Sequence, residues 1–278
     1  MRFPPRLKWD LARVRIAQKF SASSRRRLAL HVDLADFPAQ SEISPDDVGD
    51  PSQSVSSRDL HVLARVRENA APVVWIGGES PLHYPRIGHL AQEIIKLDRT
   101  VFIEADGTLL RRRIHEFRPV SRLYLVLPLN GLEAAHDLRA QQPGNFRATV
   151  ESIRTAKLSG FHICVETTIF ADMELTELHK LAEFIQKLDV DGWIQTRPSV
   201  SAPAQPSEEK LTFGRKLIPN LSWRKFSEHL PLGWKSLLGE KLTLGAPHAE
   251  FACGEVGNMG SDSPNQELPT QEESIRSL

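Results

Sequence analysis

The sequence has 278 residues with 35 basic and 35 acidic side chains, so its formal net charge is zero. This length suffices for one large α/β domain or two small ones, and the charge balance argues against nucleic acid as a partner. No apolar run approaches the roughly 20 residues that a transmembrane helix needs. The two cysteines, Cys164 and Cys253, form neither a disulfide framework nor a zinc motif, which is typical of a cytoplasmic protein.

Residues 1–26 are predicted to form a basic N-terminal helix, since Asp10 is their only acidic residue. Their apolar residues fall on more than one helix face. The favoured interpretation is a helix that packs on the following domain and exposes its basic side to water. A weak contact with a membrane surface is the alternative, and an Arg-rich, acid-poor start is also typical of a mitochondrial transit peptide.

Residues 27–198 alternate between strand-like and helix-like patterns. The strand candidates are 28–34, 72–76, 100–104, 122–127, 161–168 and 192–196. Alternating strands and helices predict parallel pairing with right-handed crossovers. Six such strands suit either a partial (β/α)6 barrel or a doubly wound sheet, and in both the chemistry belongs at the carboxyl ends of the strands.

Three helices are predicted from apolar residues at 3.6-residue spacing. They lie around residues 87–94, 146–153 and 175–188. Pro85 suits the first turn of the first of these helices, and Asp172 is placed to cap the third.

The pattern ends near residue 198. Residues 199–210 have the composition of a linker, and residues 211–252 contain enough apolar side chains for a small helical appendage. Residues 253–278 are polar and predicted to be disordered.

Polar residues follow several of the predicted strands. Gly77, Gly78 and Glu79 follow the second strand, and the two glycines would allow positive φ angles and a close approach of a ligand. Asn130 follows the fourth strand, while Glu166 and Thr168 end the fifth. Together they predict a small-molecule site at one rim of the sheet. A metal site formed by Glu79, Asp106 and Glu166 is an alternative that no spacing in the sequence supports.

The order of these segments resembles the radical S-adenosylmethionine (SAM) superfamily, and within it the branch of the hopanoid-biosynthesis adenosyltransferase. The resemblance covers about residues 27–198 and rests on the segments APVVWIGGESPLHYPRIGHLAQEIIK, VFIEADGTLL and LYLVLPLNGLEAAHD. It implies a radical-SAM-type partial barrel. It also implies that Gly77, Gly78 and Glu79 bind the amino group of SAM, and that Asn130, Glu166 and Thr168 contact its ribose and carboxylate.

The resemblance fails at the iron–sulfur cluster. The family places a C-x3-C-x2-C motif after the first strand, and its three thiolates hold a [4Fe–4S] cluster. Phe37, Ser41 and Ser44 have that spacing in the corresponding window here, FPAQSEIS, and no cysteine precedes Cys164. Serine is a hard oxygen donor and phenylalanine has no donor. A cluster is therefore not expected, and SAM is the candidate cofactor.

Three functions remain open at this stage. The first is a degenerate radical-SAM-like pseudoenzyme that binds or regulates a partner protein, such as a genuine radical SAM enzyme. The second is a protein that binds SAM or another adenosyl ligand without radical chemistry. The third is an active radical-SAM-type transferase with an atypical cluster site. No substrate or pathway follows from the residues.

Overall fold

Six parallel strands form one sheet, in which each strand pairs with the next strand along the chain. The computed structural model describes residues 4–20, 28–34, 57–78, 80–198, 202, 204–220, 223–224 and 226, all within one compact unit, 1–245. The strands are β1 Ala29–Asp33, β2 Val73–Gly77, β3 Thr100–Glu104, β4 Leu123–Pro128, β5 His162–Thr168 and β6 Gly192–Thr196.

The predicted partial barrel is confirmed. A doubly wound sheet would reverse its strand order at a switch point, whereas the order here runs without reversal from β1 to β6. Each strand also lies within one residue of its predicted bounds. Near-continuous apolar runs of five to seven residues between turn signals specify such buried parallel strands well.

Eight α-helices occur among the described residues. They are α1 Pro5–Phe20, α2 Ser57–Glu68, α3 Ile87–Lys96, α4 Gly107–Arg113, α5 Glu133–Ala140, α6 Asn145–Leu158, α7 Leu175–Lys187 and α8 Glu208–Leu217. No helix in this part of the chain is long and apolar enough to cross a membrane.

The three periodic helices of the sequence correspond to α3, α6 and α7, and the N-terminal helix to α1. The predicted capping role of Asp172 is wrong, because Glu174 is the N-cap of α7 and its side chain makes no cap hydrogen bond. Asp172 instead accepts a hydrogen bond from Arg139 at 3.0 Å. Pro85 precedes α3, which begins at Ile87 after the N-cap Arg86.

Several predicted segments fall outside the described residues. These are Glu79, the window with Phe37, Ser41 and Ser44, most of the appendage 211–252, and the tail 253–278. Helix α8 begins at Glu208, inside the stretch predicted as a linker. The domain boundaries therefore stay predictions.

The two faces of the sheet differ in chemistry. Register partners in a parallel sheet point to the same side, so Trp75, Phe102 and Tyr124 form a row across β2, β3 and β4. Trp75 stacks on Phe102 at 5.3 Å and Phe102 on Tyr124 at 4.7 Å. Trp223 and Phe226, which follow α8, pack against this row and are fully buried. These two residues thus cover the face of the sheet that carries the aromatic row.

Helix α1 lies against the amino ends of the strands. Its residues Leu7 and Leu11 belong to the core. The Asp10 carboxylate lies 3.4 Å from the guanidinium of Arg122, which directly precedes β4. A cavity of about 270 Å³ lies between α1 and the residues that precede β2 and β3. The opposite end of the sheet, where the strands finish, therefore lies away from α1.

Candidate functional site

The end of β2 is surrounded by ionisable side chains. A Cβ placed on Gly77 would lie 2.7 Å from Glu104 Oε1 and 2.7 Å from His31 Nε2. A Cβ on Gly78, whose φ is +117°, would lie 2.1 Å from Asp33 Oδ1. The left-handed backbone at Gly78 favours glycine, whereas a larger residue at Gly77 would have to displace the ends of the Glu104 and His31 side chains.

These neighbours share one face of the sheet. His31 pairs with Trp75 and Asp33 with Gly77 in the register of β1 and β2. Glu104 lies two residues after Phe102 on β3, and its Oε1 accepts a hydrogen bond from Trp75 Nε1 at 2.7 Å. The buried indole therefore fixes the position of this carboxylate beside Gly77. The rim at β1 to β3 thus brings the carboxylates of Asp33 and Glu104 beside the two glycines at the end of β2.

Sequence reasoning missed His31, Asp33 and Trp75 as neighbours of the glycines and noted Glu104 only as the end of a strand. A signal was present, because alternate residues of a strand point to the same face. His31 and Asp33 alternate on β1, as Trp75 and Gly77 do on β2. Only the register between strands shows that these pairs meet, and the register is a property of the folded sheet.

Asn130 connects the ends of β4 and β5. Its Oδ1 accepts a hydrogen bond from the backbone N–H of Thr168 at 2.9 Å, and its carbonyl accepts one from Arg139. Its own backbone N–H donates to His136 Nδ1 at 3.1 Å. Burial lowers the pKa of His136, which keeps the imidazole neutral so that Nδ1 can accept. Asn130 is thus held rigidly at the rim.

Glu166 and Thr168 occupy the same face of β5. Glu166 is buried at 6% exposure and lies in register with Pro128 and Ile194. Thr168 Oγ1 lies 3.3 Å from Thr196 Oγ1 on β6. With strands spaced about 4.8 Å apart, the ends of β2 and β5 are roughly 14 Å apart along the sheet, so only an elongated ligand could contact both.

The predicted site residues therefore share one end of the sheet but form two groups. Gly77 and Gly78 lie with the acidic group at β1 to β3, and Asn130, Glu166 and Thr168 lie at β4 and β5. Glu79 lies outside the described residues. The structure does not by itself assign a ligand to either group.

Asp106 does not belong to this site. Its Oδ1 accepts hydrogen bonds from the backbone N–H groups of Thr108 and Leu109, at 2.8 and 3.0 Å, and so caps α4. In the part of the chain that the structure describes, no group of three or more His, Cys, Asp or Glu side chains is arranged to hold a metal ion. The alternative metal site through Asp106 thus receives no support.

Cys164 lies in the core below the rim. It is fully buried on β5 and in register with Gly192. A Cβ on Gly192 would lie 2.8 Å from its Sγ and 2.7 Å from the indole ring of Trp223. Burial raises the pKa of the Cys164 thiol well above its usual range, which disfavours the thiolate that binds metals.

Comparison with protein families gives one match. The model of the radical SAM superfamily matches residues 47–185, half of the chain. The match begins after the window that contains Phe37, Ser41 and Ser44. A search among curated proteins finds no relative at a significant level.

Several solved structures are similar to this chain at low sequence identity. SuiB of Streptococcus suis bound to S-adenosylmethionine is 15% identical with a TM-score of 0.45, and the match covers 54% of this chain and 36% of that one. Archaeal TYW1 is 15% identical with a TM-score of 0.44, covering 77% of this chain and 80% of that one. A structure of TYW1 with a lysine–pyruvate adduct is 18% identical with a TM-score of 0.43, covering 57% and 55%. The chain thus spans about a third of the length of SuiB.

Proposed function

The chain belongs to the radical SAM superfamily, and from this premise we propose that it is a degenerate member that has kept the barrel without the iron–sulfur cluster. In this proposal it is a non-catalytic protein that binds or regulates a partner, such as a genuine radical SAM enzyme. The observation that carries the proposal is the number of cysteine thiols that could bind a cluster. Of the two cysteines in the sequence, Cys164 is enclosed in the core, which leaves Cys253 alone where a cluster needs three thiolates.

The residues at the expected cluster positions do not fit the cluster. Phe37 carries no donor atom, and the hydroxyl groups of Ser41 and Ser44 are hard ligands for soft iron–sulfur chemistry. The cluster is the group that supplies the electron for reductive cleavage of SAM in this family. A chain without its ligands has no group with which to start that reaction. The alternative of an active transferase therefore requires ligands from outside this sequence. A cytoplasmic location, and membership of the hopanoid-biosynthesis branch, remain parts of the proposal.

A direct assay tests the loss of catalysis. We expect the full chain, treated anaerobically with iron and sulfide and then reduced with dithionite, to form no 5′-deoxyadenosine from SAM. A cluster-containing radical SAM enzyme treated in parallel provides the positive control. Formation of 5′-deoxyadenosine in excess of a protein-free blank would overturn the proposal.

The partner-binding role needs a separate measurement. We expect the tagged full chain, purified from its native source, to retain one protein at a fixed ratio through size-exclusion chromatography. A chain that elutes as a monomer with no retained protein would contradict this part while leaving the loss of the cluster intact.

A second candidate function is the binding of SAM, or another adenosyl ligand, without radical chemistry. What supports it is the placement, at the end of β2, of two successive glycines beside the carboxylates of Asp33 and Glu104. SAM carries an ammonium and a sulfonium cation that such a site complements. Gly77, Gly78 and Glu79 would hold its amino group, and Asn130, Glu166 and Thr168 would contact its ribose.

Calorimetry distinguishes this candidate from the first. S-adenosylhomocysteine lacks the sulfonium charge, so an acidic site should bind SAM more tightly. We expect Glu104→Gln and Asp33→Asn to reduce that preference, and Glu151→Gln, which removes an exposed carboxylate on α6, to leave it unchanged. If neither ligand gives a binding signal, this candidate fails and the partner-binding proposal stands alone.

A further inference from the structure

Helix α1 has apolar side chains on two opposite faces. Leu7, Leu11 and Val14 are buried against the barrel at 1%, 8% and 7% exposure. Trp9 and Ile16 are 65% and 57% exposed, and their spacing of seven residues places both on the side of the helix that faces away from the barrel. Trp9 and Ile16 thus form an exposed apolar pair on the outer side of a helix that is anchored to the barrel.

Basic side chains flank this outer apolar pair. On the helical wheel, Arg6 falls on one side of the line through Trp9 and Ile16, and Lys8 falls on the other. Arg13 lies on the same side as Arg6 but lines the cavity between α1 and the barrel, beside Asp10 and Asp98. All three are exposed. The acidic residue of the helix, Asp10, is turned toward Arg122 of the barrel. Among the described residues, no ion pair joins Arg6, Lys8 or Arg13 to a carboxylate.

The outer face of α1 lies at the end of the barrel where the strands begin. Asp10 meets Arg122 just before β4, so α1 lies at the amino ends of the strands. Two further exposed apolar residues, Val120 in the loop before β4 and Leu158 at the end of α6, belong to the same end. The candidate ligand site at the carboxyl ends lies at the opposite end of the sheet.

We propose that α1 docks the protein on the surface of an anionic lipid bilayer. Trp9 and Ile16 enter the boundary between headgroups and acyl chains, while Arg6 and Lys8 meet the lipid phosphates. The charge of the face selects this occupant over a second copy of the chain, because a symmetric contact through α1 would bring two basic faces together. In this orientation the carboxyl ends of the strands face water, so a ligand reaches the site without crossing lipid.

Co-sedimentation with lipid vesicles tests the proposal. We expect the full chain to sediment with vesicles of equal parts phosphatidylcholine and phosphatidylglycerol, and to stay in the supernatant with phosphatidylcholine alone. The double variant Trp9→Ser/Ile16→Ser should bind the anionic vesicles at least about tenfold more weakly. The double variant Arg6→Gln/Lys8→Gln should also bind more weakly, and its remaining binding should depend less on salt concentration.

Leu138→Ser is the matched control. Leu138 is 78% exposed on α5, which begins just after the carboxyl end of β4, so its removal should leave vesicle binding unchanged. All of these side chains are exposed, and circular dichroism and thermal melting should match those of the wild type. Binding by the Trp9→Ser/Ile16→Ser variant equal to that of the wild type would overturn the proposal. So would equal binding to neutral vesicles, or a concentration-dependent dimer that this variant abolishes.

Discussion

Two glycines with a left-handed backbone allow the free-energy cost of backbone strain to be measured separately from the cost of a steric contact. Gly78 and Gly144 have φ angles of +117° and +81°. A Cβ at Gly144 would meet nothing within 4 Å, whereas a Cβ at Gly78 would overlap the Asp33 carboxylate. A side chain at position 78 must therefore displace the Asp33 carboxylate at the end of β1, whereas a side chain at position 144 displaces no neighbouring atom.

We expect Gly144→Ala to lower the free energy of unfolding by about 1–2 kcal/mol through backbone strain alone. Gly78→Ala should cost more, because it must also displace Asp33. In an Asp33→Ala background the cost of Gly78→Ala should fall to that of Gly144→Ala, as measured by chemical denaturation. An unchanged cost of Gly78→Ala in that background would show that the Asp33 contact contributes nothing.

Asp191 joins the start of β6 to β5 and α6. Its Oδ2 accepts hydrogen bonds from Ile163 N–H at 2.8 Å and from Lys157 at 3.0 Å. Burial acts to raise the pKa of Asp191, but its hydrogen bonds from His162, Ile163 and Lys157 outweigh burial and hold the pKa below the ordinary value of 3.8. A carboxyl group with a depressed folded-state pKa stabilises the fold above its unfolded-state pKa, and this contribution is lost as the pH falls through the folded value.

Asp191→Asn should therefore lower the free energy of unfolding by about 1–2 kcal/mol at neutral pH. The difference between wild type and variant should shrink as the pH falls below the ordinary pKa of 3.8. Urea unfolding of both proteins at a series of pH values measures this difference in the free energy of unfolding. A difference that stays constant down to the acid limit of the fold would contradict the assigned role.

At the scale of elements, the strands were predictable and the shorter helices were not. The six strands are continuous apolar runs between turn residues, a pattern that local sequence specifies. Helices α4 and α5 have only seven and eight residues, so each offers too few turns for a periodic pattern. The capping of α4 by Asp106 and the bond between His136 of α5 and Asn130 are local contacts, two and six residues apart, which a search for apolar periodicity does not detect.

Trp223 and Phe226, in the segment after α8, belong to the hydrophobic core of the barrel. Trp223 meets Phe102 and Tyr124 edge-on at centroid distances of 6.4 and 6.1 Å and is fully buried. An aromatic residue in this position removes a large apolar area from water. The chain beyond β6 therefore stabilises the barrel.

Comparison of two tryptophans tests this role. Trp223→Ala should lower the free energy of unfolding by about 3–5 kcal/mol, because it leaves a cavity beside Phe102 and Gly192. Trp9→Ala should cost about 0.5 kcal/mol or less, because Trp9 is 65% exposed. Equal effects in denaturant unfolding would show that the segment after α8 does not pack as described.

At the scale of the whole molecule, the sequence predicted the barrel and placed a candidate site at the carboxyl ends of its strands, but not all of the residues that meet there. The glycines and Asn130 could be located because turn chemistry and strand ends are visible along the chain. Asp33, Glu104 and Trp75 could not be brought together from sequence, because they come from three different strands. Their meeting adds two carboxylates and an indole to the polar residues that the sequence placed at this rim.

The central claim is that this barrel has no iron–sulfur cluster, and iron content after anaerobic reconstitution tests it most directly. The triple variant Phe37→Cys/Ser41→Cys/Ser44→Cys, which restores thiols at the family's spacing, is the matched comparison. We predict that the wild type retains less than about one iron per chain after desalting, with no visible absorption from a cluster, and that the triple variant retains more. About four irons and four sulfides per wild-type chain would contradict the account.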